Sequence, residues 1–133
     1  MYRFTTAIAL LIAFVGTASA QGGLPSIWQS QRGATLKVFN IDRTTGTFSG
    51  VFINGASGPC PGVNYDLVGR VQRPQRHVAF RTSNTWSSDC AGTTVWSGRP
   101  IGASSVATRW TRTTRAPNGR LVRTYGTDVF RRI

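Results

Sequence analysis

The chain has 133 residues, a length that suits one domain with a single modest core. Sixteen Lys and Arg residues against four acidic residues give a formal net charge of +12 at pH 7, with a single His. This balance predicts attraction to polyanions, and the scarcity of acidic and His side chains, with no nucleophile–base–orienter set, argues against an enzyme.

The first twenty residues are typical of a secretory signal peptide. Arg3 supplies a positive start, Ala7 to Val15 form an apolar run too short to span a membrane, and Ala18-Ser19-Ala20 forms a small-residue cleavage site. We therefore predict a signal peptide over residues 1–20 and a secreted domain, extracellular or periplasmic, over residues 21–133.

The rest of the chain is divided into short β-rich runs about ten residues apart, each bounded by Gly, Pro, Asn or Ser clusters. In the second run Leu36, Val38 and Asn40 alternate with Lys37, Phe39 and Ile41. There is no helical periodicity of useful length. The predicted strands are Ser26–Gln31, Thr35–Asp42, Thr47–Asn54, Tyr65–Gln72, His77–Trp86, Thr93–Arg99, Ser105–Thr113 and Arg123–Ile133.

Eight short strands with local connections favour an all-β, eight-stranded antiparallel up-and-down β-barrel. Such a barrel is filled by side chains or holds one small ligand. An immunoglobulin-type sandwich is the rival, but it would place its cysteines on facing core strands. Here Cys60 lies in the Gly- and Pro-rich segment GASGPCPG, which is typical of a loop.

Cys60 and Cys90 are the two cysteines of the chain. In an oxidising compartment an even pair most simply forms one disulfide, worth roughly 3–4 kcal/mol for a loop of this size. A zinc site would need more ligands than these cysteines and His77 offer, so no metal is predicted. Redox catalysis would favour C-x-x-C spacing.

Six segments resemble the avidin family, in order, over nearly the whole predicted mature chain. They read IWQSQRGATL, GTFSGVFIN, DLVGRV, TTVWSGR, ATRWTRT and YGTDVF. Each is weakly specific alone, but six in order at family spacing are strongly specific. The chain is similar above all to the dimeric bacterial avidins. The resemblance implies a Cys60–Cys90 disulfide that braces the loop over the pocket, no enzymatic activity, and biotin as a ligand rather than a cofactor.

The resemblance also assigns roles in a biotin-type pocket. Trp96 and Trp110 fall at aromatic positions that clamp the ring system. Thr94 falls at a hydroxyl position beside the thioether sulfur, and Asp128 at the carboxylate that accepts a ureido N–H. Asn54, with residues 55–57, begins the covering loop.

One family tryptophan position is ambiguous. Aligned from Phe80, the position is occupied by Asn84, and Trp86 follows two residues later on the same predicted strand face. Which of Asn84 and Trp86 faces the pocket stays open. The tryptophans also have a simpler interpretation, as ordinary side chains of a barrel core.

One departure from the family concerns the ureido oxygen, which avidins surround with three donors. The matching positions are Ser30, Ala34 and Phe52, and only Ser30 keeps a hydroxyl. Each lost hydrogen bond to a buried acceptor costs roughly 1–3 kcal/mol. The resemblance therefore implies biotin binding weaker than in typical avidins.

Arg32 and Arg112 stand where the family has apolar or small residues at the pocket mouth. In one interpretation Arg32 pairs with Asp128 or faces solvent. In the other, Arg32 and Arg112 form a cationic rim that binds a carboxylate or phosphate by charge-assisted hydrogen bonds. The tail carboxylate of biotin fits such a rim, and so does a different anionic small ligand.

The segment between the last two predicted strands bears on the oligomeric state. The chain has no Trp between Thr113 and Asp128, where tetrameric avidins supply one to a neighbouring pocket, and it carries Arg120 and Arg123 there. We therefore predict a homodimer. The remaining alternative is a basic barrel that binds nucleic acid or other polyanions, which added salt would weaken steeply.

Overall fold

The computed structural model describes residues 26–56, 60–72, 76–85 and 89–133, so the predicted signal peptide lies outside the described residues. In these segments the chain forms eight antiparallel strands, each hydrogen-bonded to the next, and the first pairs with the last to close a barrel. The predicted fold class is confirmed. The strands are β1 Ser26–Ser30, β2 Thr35–Ile41, β3 Thr47–Ile53, β4 Asn64–Gln72, β5 His77–Asn84, β6 Gly92–Pro100, β7 Ser105–Arg115 and β8 Leu121–Arg132.

The barrel forms because apolar side chains recur at every second position, the period at which a strand returns to the same face. In β4 the side chains of Tyr65 and Leu67 are buried inside, whereas Asp66 and Val68 are exposed outside. The same alternation in the other strands fills the barrel with one apolar core. Its members are Ala34, Leu36, Val38, Phe52, Tyr65, Leu67, Phe80, Trp96 and Phe130.

The alternation predicted for the second strand is wrong at its end. Val38 pairs with Gly50 but Asn40 pairs with Ser49, so β2 carries one extra residue at a β-bulge. The extra residue turns the side chains after it to the opposite face of the sheet. Asn40 therefore lies on the exposed side, where its Nδ2 donates to Ser49 Oγ at 3.2 Å. Ile41 instead pairs with Phe48 and borders the barrel interior.

The turn between β2 and β3 is organised by Asp42. Its Oδ1 accepts hydrogen bonds from the backbone N–H of Thr44 at 2.9 Å and of Thr45 at 3.2 Å. The bond from Thr45 and then the bond from Thr44 favour the ionised carboxylate, and they hold the pKa of Asp42 below its ordinary value. Gly46 completes the turn at φ 79°, where a side chain would collide with the Val71 carbonyl.

Antiparallel order gives the barrel two distinct ends. At one, which we call the site end, the loops β1–β2, β3–β4, β5–β6 and β7–β8 meet; at the other, the far end, the loops β2–β3, β4–β5 and β6–β7 meet. A Cys60–Cys90 disulfide joins the β3–β4 loop to the β5–β6 loop, with a Cα–Cα distance of 5.8 Å. The predicted disulfide is therefore confirmed, and it braces the site end.

Candidate functional site

Two elements of the predicted pocket, its aromatic rings and its polar groups, both project from strands into the barrel interior. Three of the rings form one cluster: the centroid of Trp96 lies 5.5 Å from that of Phe52 and 6.1 Å from that of Trp110. Trp96 and Phe52 are buried, whereas Trp110 is half-buried and keeps an accessible surface. The cluster forms because Trp96 and Trp110 are paired residues of neighbouring strands, which brings side chains on the same face into contact.

The orientation of Trp96 is fixed by a residue that the sequence did not single out. The indole Nε1–H donates to Thr82 Oγ1 at 3.1 Å, and both side chains are buried. A buried indole N–H needs such a partner. Thr82 is thus a positioning residue, and its place two residues before Asn84 on the inner face of β5 is the signal that could have identified it.

Trp110 depends on a glycine directly opposite it. Gly126 of β8 pairs with Trp110 of β7, and a Cβ at Gly126 would overlap the indole ring. The absence of a side chain at Gly126 is therefore what lets the Trp110 ring approach β8 so closely. This close approach explains why the segment YGTDVF carries a glycine at that position.

Ser30 is a buried hydroxyl whose acceptor sites are already used. Its Oγ accepts hydrogen bonds from the backbone N–H of Arg32 at 3.2 Å and of Ala34 at 3.1 Å. A hydroxyl has two acceptor lone pairs and one O–H donor. Because the loop occupies the acceptors, the O–H remains to donate, and a ligand oxygen is a suitable acceptor for it.

Ala34 and Phe52 are buried where the family comparison expects donors. They are 7% and 6% exposed, so an oxygen placed against them would be removed from water without gaining a side-chain hydrogen bond. The nearest phenol belongs to Tyr65, which pairs with Phe52, but its O–H donates to the Cys90 carbonyl at 2.8 Å.

Tyr65 was missed by the sequence reasoning, and it connects the pocket wall to the disulfide. Besides donating to Cys90, its hydroxyl oxygen accepts a long hydrogen bond from Asn54 Nδ2 at 3.4 Å. Asn54 is half-buried just after β3, at the start of the β3–β4 loop. Tyr65 thereby links the two loops that the Cys60–Cys90 bond also joins.

Asp128 is a buried carboxylate on the inner face of β8. It is 4% exposed, and its Oδ1 accepts the backbone N–H of Val129 at 2.9 Å. Arg32 lies in the β1–β2 loop with an exposed side chain, and the choice between its pairing with Asp128 and its facing solvent stays a prediction. A buried carboxylate of this kind is suited to accept an N–H from a ligand.

Arg112 is placed differently from Arg32. It pairs with Thr94, and both side chains are half-buried. The Arg112 Nε lies 3.6 Å from where a Cβ would stand on Gly92, a residue on the same face of β6 as Thr94 and Trp96. Arg112 therefore runs along the inner wall of the site end, as its position two residues after Trp110 predicts.

A model of the avidin family matches residues 18–133. The chain belongs to the avidin family. Members of the family are not enzymes, and they bind biotin as a ligand rather than a cofactor. No curated protein sequence matches the chain.

Solved avidin structures are similar to this chain over most of its length. The bradavidin2–biotin complex is 28% identical with a TM-score of 0.68, and the match covers 84% of this chain and 98% of that one. The biotin complex of a shwanavidin mutant is 28% identical with a TM-score of 0.63, covering 81% and 94%. A biotin-binding protein from chicken, at 21% identity, a TM-score of 0.63 and coverage of 85% and 98%, shares the fold.

Two predicted elements of this avidin fall partly outside the described residues. Trp86 and Ser57 lie outside them, so the choice between Asn84 and Trp86 stays a prediction. Asn84 itself is 1% exposed at the end of β5, and its Nδ2 donates to the Asn64 carbonyl at 3.2 Å. This bond ties the end of β5 to the start of β4.

In the described segments of this avidin, no three or more His, Cys, Asp and Glu side chains form a group that could hold a metal ion. In the same segments no helix is long and apolar enough to cross a membrane.

Proposed function

We propose that this avidin binds biotin, or a biotin-like cyclic urea or amide, inside the barrel at the site end. The observation that carries the proposal is the combination of an aromatic cluster with two buried polar groups of opposite character. The rings of Phe52, Trp96 and Trp110 would enclose the ligand ring. Ser30 offers a hydroxyl donor and Asp128 a carboxylate acceptor, which is the pair that a urea C=O and N–H require.

We also propose that the affinity for biotin is lower than it would be with the three hydrogen-bond donors that avidins place around the ureido oxygen. A ureido oxygen beside Ser30 would meet a methyl group at Ala34 and a ring at Phe52, both buried. Two missing hydrogen bonds, each worth about 1–3 kcal/mol, correspond to a loss on the order of 10²- to 10⁴-fold. Thr94, half-buried between Thr82 and Arg112, is the proposed neighbour of the sulfur.

The test of this site compares two aspartates. Biotin titrations followed by tryptophan fluorescence should show weaker binding in Asp128→Asn, because the amide removes the charged acceptor for a ligand N–H. Asp66→Asn is the matched control, since Asp66 is exposed on the outer side of β4. The proposed site is refuted if both variants bind biotin as tightly as the parent protein.

The position of Arg112 favours a second feature, a negatively charged ligand tail. A half-buried guanidinium on the inner wall can form charge-assisted hydrogen bonds with a carboxylate. Arg112→Gln should therefore weaken biotin more than biotin amide, whereas Arg109→Gln, exposed on the same strand, should change neither. If biotin fails to bind while small phosphates or carboxylates bind and lose affinity in Arg112→Gln, the ligand is a different anion.

We further propose that the protein is secreted after cleavage near Ala20. The Cys60–Cys90 disulfide supports this, because disulfides persist in oxidising compartments. Mass spectrometry of the exported protein should find Gln21 at its N-terminus. A mature chain that keeps residues 1–20 would contradict the proposal.

A homodimer is proposed from the outer surface of the barrel. Val68, Arg81, Val95, Thr111 and Tyr125 form one continuous row of paired residues from β4 to β8. Three of them are large and exposed: Val68 by 47%, Val95 by 56% and Tyr125 by 70%. Three exposed apolar side chains in one row, with Arg81 and Thr111 between them, are typical of an interaction surface.

Light scattering tests this dimer. Val95→Arg should give a monomer because the substitution removes the central exposed apolar side chain of the row and places a second cation beside Arg81. Phe39→Arg, at a residue that is 48% exposed on β2, is the matched control and should remain a dimer. A monomeric parent protein, or a tetramer stable to dilution, would contradict the proposed state.

A further inference from the structure

The far end of the barrel holds a cavity that has no part in the site described above. Its volume is about 160 Å³. Its lining comes from the far-end halves of the strands and includes Trp28, Val38, Phe48, Val78 and Val106. None of the residues of the proposed biotin site lines this cavity.

An aromatic layer separates the cavity from the biotin site. Phe80 and Phe130 line the cavity, whereas Trp96 does not. Trp96 stacks on Phe80 with a centroid distance of 5.3 Å and an interplanar angle of 10°, and it meets Phe130 nearly edge-on at 5.4 Å. The same rings thus form the wall of the cavity on one side and support the biotin-site tryptophan on the other.

The chemistry of the lining selects the kind of molecule that fits. Ser26 is the one polar residue among the described residues that line the cavity, and its Oγ accepts the Trp28 Nε1–H at 3.3 Å. A water molecule inside would lack the two to four polar partners that buried water needs. A charged or strongly polar ligand would leave its own groups unpaired.

The volume of the cavity and its access to the surface decide which molecules can enter it. An enclosed apolar cavity of about 150 Å³ engineered in another protein binds benzene or xenon, so a cavity of this volume has room for a monocyclic molecule. Ile41, 55% exposed, and the half-buried Val71, Val78 and Val106 border the cavity, so it reaches the surface at the far end. We propose that this cavity is a second binding site, for a small uncharged apolar molecule such as a monocyclic aromatic or a hydrocarbon of about six carbons.

The experiment uses benzene as the probe and the methyl groups of the full mature protein as reporters. In a titration followed by methyl NMR, the Val38, Val78 and Val106 signals should shift with one saturable curve. The methyl groups of Thr94 at the site end should not follow that curve. Unsaturable shifts, or saturable shifts confined to the site end, would overturn the proposal, and this holds whether or not biotin binds.

Two variants test whether benzene binds in the cavity itself. Val78→Phe fills the cavity and should weaken benzene binding by about tenfold or more. Val51→Phe makes the same change on the outer side of β3, next to the inward Phe52, and should bind benzene like the parent protein. If Val78→Phe is folded by circular dichroism and binds benzene unchanged, the cavity is not the site. If Val78→Phe does not fold, the methyl shifts of the parent protein in the benzene titration decide whether the cavity is a binding site.

Discussion

Restoring the two missing hydroxyl groups should tighten biotin binding. The double variant Ala34→Ser with Phe52→Tyr adds one hydroxyl at each position with little change in volume. Both positions are buried, and Ala34 already lies beside the Ser30 hydroxyl through its backbone N–H, 3.1 Å from Oγ. The new groups would therefore face the same ligand oxygen that Ser30 faces in the proposed pose.

The expected gain follows from the number of bonds restored. Each hydrogen bond to a desolvated acceptor is worth about 1–3 kcal/mol, and every 1.4 kcal/mol changes affinity about tenfold. Two bonds predict binding on the order of 10²-fold tighter or more. Each single variant should give a smaller part of the gain, and the two parts should not be strictly additive because the hydroxyls share one acceptor.

Isothermal titration calorimetry with biotin measures this gain. The matched control, Ala79→Ser with Phe39→Tyr, makes the same two changes on outward-facing residues of β5 and β2 and should leave affinity unchanged. A double variant that is folded and binds no better than the parent protein would refute the pose. The ligand would then be a different, anionic molecule held through Arg112.

Three further predictions concern stability and the pocket wall. Replacing Cys60 and Cys90 by Ser should lower the free energy of unfolding by roughly 3–4 kcal/mol, measured by denaturant titration, and a change under 1 kcal/mol would contradict the loop-closure argument. Gly126→Ala should displace the Trp110 ring, lower Tm and weaken biotin binding; unchanged fluorescence and affinity would show that the contact is tolerated. The pKa of Asp42 is lowered in the folded state, so its carboxylate stabilises the fold above the unfolded pKa near 4, and this effect is lost as pH falls through the folded pKa. Between pH 5 and pH 2 the parent protein should therefore lose more stability than Asp42→Asn. Equal losses in the two proteins would refute this prediction.

The fold was predictable from the sequence because the alternation of apolar and polar residues that produces it lies within each strand. Alternation such as Tyr65-Asp66-Leu67-Val68 specifies a strand and its inner face without knowledge of any partner. The bulge in β2 was not predictable in this way. It depends on how β2 aligns with β3, and the residue before Asn40 has no feature that marks it as extra.

The candidate site was only partly predictable from sequence. Spacing from Trp110 correctly placed Arg112 on the inner wall, since two residues along a strand return to one face. The Thr82–Trp96 and Tyr65–Cys90 hydrogen bonds join side chains and loops that are distant in sequence. They arise from strand register and loop position, which no single segment encodes. The far-end cavity is harder still to predict from the sequence, because its volume depends on the packing of side chains from seven strands.

The most direct test of the central claim is a calorimetric titration of the mature parent protein with biotin at low and at high salt. We predict saturable binding of one biotin per chain with an affinity that changes little with salt, because the ligand is enclosed among aromatic and buried polar groups. Absence of biotin binding, together with polyanion binding that falls steeply as salt increases, would contradict the account and indicate a basic barrel that binds polyanions instead.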